Sequence, residues 1–221
     1  ADGGVFAAMG DIDARVFPRS AVKVLQALPL LFSGGADRYG LTDDELALTC
    51  ASHNGEPQHA AAALSMLRKA GVEASALECG AHWPYLDTAV RALAAAGKEP
   101  SALHNNCSGK HAGFVCLGCA MSAGDAAGFL NGYVQPNHAV MREVGAAIEA
   151  TTSSRLADAP MGIDGCSIPT YALPLRSLAL AFARVGTGVG LSPGHAAAAR
   201  RLRQAVARHP FMVAGTGRFD T

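Results

Sequence analysis

A chain of 221 residues that is 50% hydrophobic and 16% charged can bury a full core without disulfide staples, and it reads as one globular unit. Its 18 acidic residues balance 18 basic ones, and no basic stripe interleaved with aromatics runs along it; this argues against nucleic acid and anionic membrane surfaces and favours a small neutral or zwitterionic substrate. No run of about 18 apolar residues and no charged-then-apolar leader is present, so neither a membrane span nor a signal peptide is expected and the cytoplasm is the default location.

In chain order, Ala1 to Gly10 predicts a tight turn and a short strand near Val5-Phe6, with no earlier strand to pair with. Helices are expected from Ser20 to Leu31, after the capping box Thr42-Asp43-Asp44-Glu45, and from Pro57 to a stop at Gly71. Further helices are expected over Tyr85 to Gly97, Lys110 to about Ser122, Pro136 to Ala150, Pro174 to Arg184, and Ser192-Pro193 to His209-Pro210. The unusual polar residues gather in the short loops between them, where function usually sits.

Ser20 and Lys23 are one helical turn apart, so a hydroxyl and an amine share a face and can act as nucleophile and base in acyl transfer. Only four of the 18 basic residues are lysines, and unlike arginine a buried lysine can lose its proton. A solvated helix lysine beside a capping serine fits the same four residues. Ser52-His53-Asn54 suggests a Ser-x-Asn element that relays a proton across a cleft, or else an ordinary capping turn.

Gly109-Lys110 ahead of a helix suggests a phosphate loop, but His104 and His111 stand where that motif needs Gly and Ser or Thr. Cys107, Lys110 and the distant Cys166 offer two soft sulfurs and an amine, which suits zinc, although their spacing alone reads as buried thiols. Cys116 and Cys119 have metal or redox spacing inside an apolar helical run, where buried thiols are the simpler reading. Asp164 and Glu56 sit in glycine-flanked loops, where either carboxylate can hold a substrate ammonium or simply face solvent. His53, His59, His82, His104 and His111 fit no metal-ligand spacing and read as supporting residues.

Taken together, Phe17-Pro18-Arg19-Ser20-Ala21-Val22-Lys23, Cys50-Ala51-Ser52-His53 with Glu56 and His59, Asn106 to His111, and Asp164-Gly165-Cys166-Ser167-Ile168-Pro169-Thr170 resemble the thermolabile, rhizobial-type L-asparaginase II family. Ala207 to Arg218 is similar to that family's central segment, and the match runs through the whole chain.

The resemblance implies an α/β (α+β), helix-rich fold similar to serine β-lactamases and penicillin-binding proteins, and hydrolysis of L-asparagine to L-aspartate and ammonia. It implies Ser20 as nucleophile, Lys23 as its activator and Ser52 as the coupled second serine. It implies zinc as cofactor, held by Cys107, Lys110 and Cys166, which reverses the plain reading of those thiols. Arg19, His53, Asp164 and His111 are then expected beside the substrate. A homodimer is also implied. Residues 1–221 are expected to form a single domain incomplete at both ends, with terminal sheet strands outside the chain. A glutaminase, a β-lactam-recognising S-x-x-K enzyme and a non-catalytic zinc module are the alternatives.

Overall fold

The computed structural model describes residues 4–122 and 124–219. It is helix-rich: a 3-10 turn at Arg19–Val22 leads into α1 (Lys23–Phe32), followed by α2 (Gly35–Arg38), α3 (Asp43–Thr49), α4 (Pro57–Lys69), α5 (Asp87–Ala95), α6 (Ser108–Met121), α7 (Ala126–Leu130), α8 (Ala139–Thr152), α9 (Leu175–Thr187), α10 (Pro193–Arg208) and α11 (Pro210–Val213). Among the described residues the strands form two antiparallel pairs, β1 (Arg15–Val16) with β4 (Leu173–Pro174) and β2 (Met161–Ile163) with β3 (Pro169–Tyr171).

Local signals start most of these helices. The Thr42 amide donates to Glu45 Oε2 at 2.9 Å, completing the expected capping box of α3. Glu45 is buried, and it also accepts from Ser65 Oγ at 2.7 Å and Lys69 Nζ at 2.6 Å, which ties α3 to α4. Glu56 and His59 form a second box at the start of α4, where Pro57 occupies the first turn. Ser192 caps α10 through the His195 amide.

The apolar faces close around α1 and α6. Helix α1 packs on α6, α8 and α10, and α3 lies against both α6 and α10. Residues Ser108 to Cys119 of α6 are buried on every side, so this helix runs through the core rather than along the surface. Close packing there depends on glycine: a Cβ on Gly109 would collide with the Leu48 backbone of α3.

The strand expected at Val5-Phe6 is not formed. Val5, Phe6 and Met9 are exposed, and the first strand pairing begins at Arg15. A strand needs a backbone partner as well as a suitable sequence, and no such ladder reaches Val5 or Phe6. The turn expected over Ala1 to Gly4 lies largely outside the described residues.

Candidate active site

Ser20 sits in the 3-10 turn, at three residues per turn, so Ser20 and Lys23 are eclipsed along the chain as the spacing predicts. Among the described residues no side-chain hydrogen bond joins them. Lys23 opens α1, is 1% exposed, and is hydrogen-bonded to Ser52 Oγ at 2.8 Å and to the Ala51 carbonyl. Burial lowers its pKa from the usual 10.5, against the opposing pull of the Cys107 charge; Lys110 adds to the lowering. Ser20 is exposed and shares with Ser52 a cleft of about 910 Å³, whose further walls include Val24, Cys50, Val206 and Ala214.

The residue before the nucleophile candidate is under strain. Arg19 has φ +45°, a left-handed conformation that costs a non-glycine residue about 1–3 kcal/mol. Its guanidinium holds Asp164 Oδ1 through Nε at 2.9 Å and Nη2 at 2.8 Å. Asp164 begins the turn between β2 and β3, where the Gly165 amide donates to the same oxygen at 2.8 Å. Burial opposes ionisation of Asp164, but Gly165 and Arg19 together hold its carboxyl below the ordinary value. The two residues expected at the substrate are thus bonded to each other, and they tie the Ser20 turn to the loop carrying Cys166.

That loop meets the start of α6. Lys110 Nζ lies 3.0 Å from Cys166 Sγ, and Cys107, Lys110 and Cys166 are each 3–4% exposed. Cys107 and Cys166 lie close enough for the two thiols to bias each other's ionisation. Cys107 is drawn down to about 5 by its contact with Cys166 and by Lys110 and Lys23, while the same contact pushes Cys166 up. Lys23 therefore stands between two groups: Ser52 on one side, and the thiolate cluster on the other.

The imidazoles are built in more deeply than the loops suggest. His53 is fully buried; its Nδ1 accepts from the Gly55 amide at 3.1 Å, so its proton is on Nε2, 3.0 Å from Ser108 Oγ. It stacks on His59, which stacks in turn on Phe211. Tyr133 Oη accepts from the Glu78 amide at 3.1 Å and is hydrogen-bonded to His111 Nδ1 at 2.6 Å. The other ring nitrogen, His111 Nε2, is a buried atom without a hydrogen-bond partner among the described residues. Glu56, read from sequence as a possible ammonium partner, is committed elsewhere: it accepts from the Thr216 amide at 2.7 Å and the Thr216 hydroxyl at 2.8 Å.

The family model for L-asparaginase II matches residues 1–221. The chain belongs to the L-asparaginase II family. No curated protein matches it. Membership supports an amidohydrolase acting on a small-molecule substrate, and no described helix of this asparaginase II chain is long and apolar enough to cross a membrane.

Among the described residues no group of three or more His, Cys, Asp or Glu is arranged to hold a metal. The mixed set Cys107, Lys110 and Cys166 falls outside that class, and its chemistry suits zinc: two buried sulfurs, one of them in contact with an amine. Cys116 and Cys119 are unbonded to one another and buried in α6; burial pushes both thiols up and away from thiolate chemistry. Sequence reasoning missed Tyr133, which holds His111 Nδ1, and Thr216, which fixes Glu56. The only signal for Thr216 was its place in the glycine-flanked segment of the family resemblance.

Proposed function

We propose that this chain hydrolyses the side-chain amide of L-asparagine to L-aspartate and ammonia through a serine-lysine acyl-enzyme, on a fold of the serine β-lactamase type. Ser20 Oγ attacks the carboxamide carbon while its proton passes by way of Ser52 to Lys23. The C–N bond breaks, the proton returns to the departing nitrogen, and ammonia leaves. Water then attacks the Ser20 ester along the same proton path, releasing aspartate and the serine hydroxyl.

The observation that carries this reading is the buried Lys23 amine, 2.8 Å from Ser52 Oγ at the cleft that Ser20 also lines. Desolvation favours the neutral amine that a base must be. The Ala21 amide is taken by the Pro18 carbonyl at 3.0 Å, so the Ser20 amide, ahead of the first bond of the turn, is the candidate donor to the oxyanion, an effect of roughly 3 kcal/mol for a well-placed donor.

Arg19, next to Ser20 in the chain, and Asp164 are paired with each other, and exchanging that pair for the carboxylate and ammonium of an amino acid is the role we assign them. His53 acts by holding the Ser52 loop to Ser108, and His111 leaves its buried Nε2 as a polar atom for substrate or metal. Cys107, Lys110 and Cys166 would hold a zinc ion, which when bound supplies a Lewis-acidic point for orienting substrate.

The test is ammonia release from L-asparagine and L-glutamine, with zinc content assayed on the same samples. Ser20→Ala is expected to abolish turnover with zinc retained, and Cys107→Ala to lose zinc. Turnover surviving Ser20→Ala would remove the nucleophile assignment.

A further inference from the structure

Gln26, on α1 three residues beyond Lys23, is 5% exposed, and its Oε1 has no hydrogen-bond partner among the described residues. A buried carbonyl oxygen left unpaired is destabilising, so it calls for an explanation. Gln26 lines a small enclosed cavity together with Thr49, Lys110, Gly113 and Phe114. The space open to the centre of a water molecule is about 10 Å³, which is room for one water.

The polar content of that cavity is complementary. Lys110 Nζ stands over the Phe114 ring, 5.9 Å from its centroid, and Phe114 is a wall of the same space. The amine carries more N–H groups than its single contact to Cys166 uses. Thr49 has given its hydroxyl proton to the Leu46 carbonyl at 2.6 Å, which leaves that oxygen only as an acceptor. A water needs two to four polar partners to be held in a core. Here Lys110 can donate to it, while Gln26 Oε1 and Thr49 Oγ1 can each receive one of its protons.

We propose that the cavity between α1 and α6 is a single-water site, and that Gln26, acting through this water, is a positioning residue for Lys110. The bridge gives the Lys110 amine a second fixed partner beside Cys166. Groups that orient a metal ligand in this way typically govern affinity by about 10- to 100-fold. The positioning half of the proposal rests on the reading of Lys110 as a zinc ligand; the water itself does not.

The experiment pairs a high-resolution crystal structure of the zinc-free protein with zinc affinities, measured by chelator competition, of wild type and Gln26→Met. Expected are one ordered water within hydrogen-bonding distance of Gln26 Oε1 and Lys110 Nζ, and a fall in zinc affinity of about tenfold in Gln26→Met with an unchanged melting temperature. An empty cavity, or a side chain shifted into it, overturns the water site whether or not the protein binds zinc. Equal zinc affinity in the two proteins, within twofold, overturns the positioning role, whereas a wild type that binds no zinc overturns that role together with the ligand reading and leaves the water to be decided by the density. Should Gln26→Met melt lower, Gln26→Leu is measured beside it, and an affinity loss that follows stability rather than the missing carbonyl overturns the positioning role.

Discussion

Lys23 Nζ and Ser52 Oγ are 2.8 Å apart, a contact that joins the first turn of α1 to the loop after α3. The folded chain resists protonating this buried amine, while the unfolded chain takes up a proton readily below pH about 10.5. Stability tied to Lys23 is therefore present above that pH and falls as pH drops toward the lowered folded value. At neutral pH the lysine works against the fold and for the chemistry. Lys23→Met is expected to cut ammonia release by about 10²- to 10⁴-fold while leaving the melting temperature unchanged or higher. Assays and melting curves at pH 7.5 check both; a lower melting temperature would mean that the amine is structural.

Arg19 combines a strained backbone with an ion pair, and substitution separates the two. Arg19→Ala removes the contact to Asp164 and keeps the strain, whereas Arg19→Gly removes both. If the pair aims Ser20, both variants lose activity by about 10- to 100-fold, since a displacement of about 1 Å at a nucleophile is that costly. If the strained backbone alone matters, Arg19→Ala keeps its activity and Arg19→Gly does not. Comparison of kcat for the two decides.

The elements written locally in the sequence were legible. The Thr42–Glu45 box, Pro57 and Ser192-Pro193 mark real helix starts because each signal acts within one turn of itself. Helices α2, α7 and α11 span four or five residues, too short to show a period of 3.6. At the site, the S-x-x-K spacing could be seen, but its outcome could not. Lys23 meets Ser52 from 29 residues away, and Arg19 meets Asp164 from 145 away. Glu56 looked like a loop carboxylate open to ligand until the fold brought Thr216 to it across 160 positions. Such contacts follow from packing of distant helices, which no local pattern encodes.

His53 predicts a pH response. Burial, with smaller contributions from His59 and Lys23, holds its pKa well below 6.5, and its Nδ1 must stay unprotonated to accept from the Gly55 amide. The unfolded chain protonates this histidine as pH falls through about 6.5 and the folded chain does not, so stability declines below that pH. Between pH 7.5 and 5.5 the loss from His53 is on the order of 1 kcal/mol, and the lowered pKa of His59 acts in the same direction. Urea unfolding at the two pH values should show at least this difference, reduced by about the His53 share in His53→Gln. An undiminished difference in the variant would assign the effect to other groups.

Gly215 tests whether the clamp around Glu56 holds the cleft wall. Its φ is +104°, and a Cβ there would strike Glu56 Oε1 while approaching His59 Cε1 to 2.9 Å and Asn54 Nδ2 to 3.0 Å. The same segment is tied to the Ser52 loop by backbone bonds, Ser52 amide to Val213 carbonyl at 3.1 Å and Asn54 amide to Ala214 carbonyl at 2.9 Å. Gly217 is the control, since it also has positive φ, +70°, but open space where its Cβ would go. Gly217→Ala should cost only the backbone strain, about 1–2 kcal/mol. Gly215→Ala should cost more than that and lower kcat as well, because relieving the clash displaces Glu56 and with it the Ser52 loop. Equal losses in the two variants, measured by denaturant unfolding, would show that backbone strain rather than the Glu56 clamp sets the cost at Gly215.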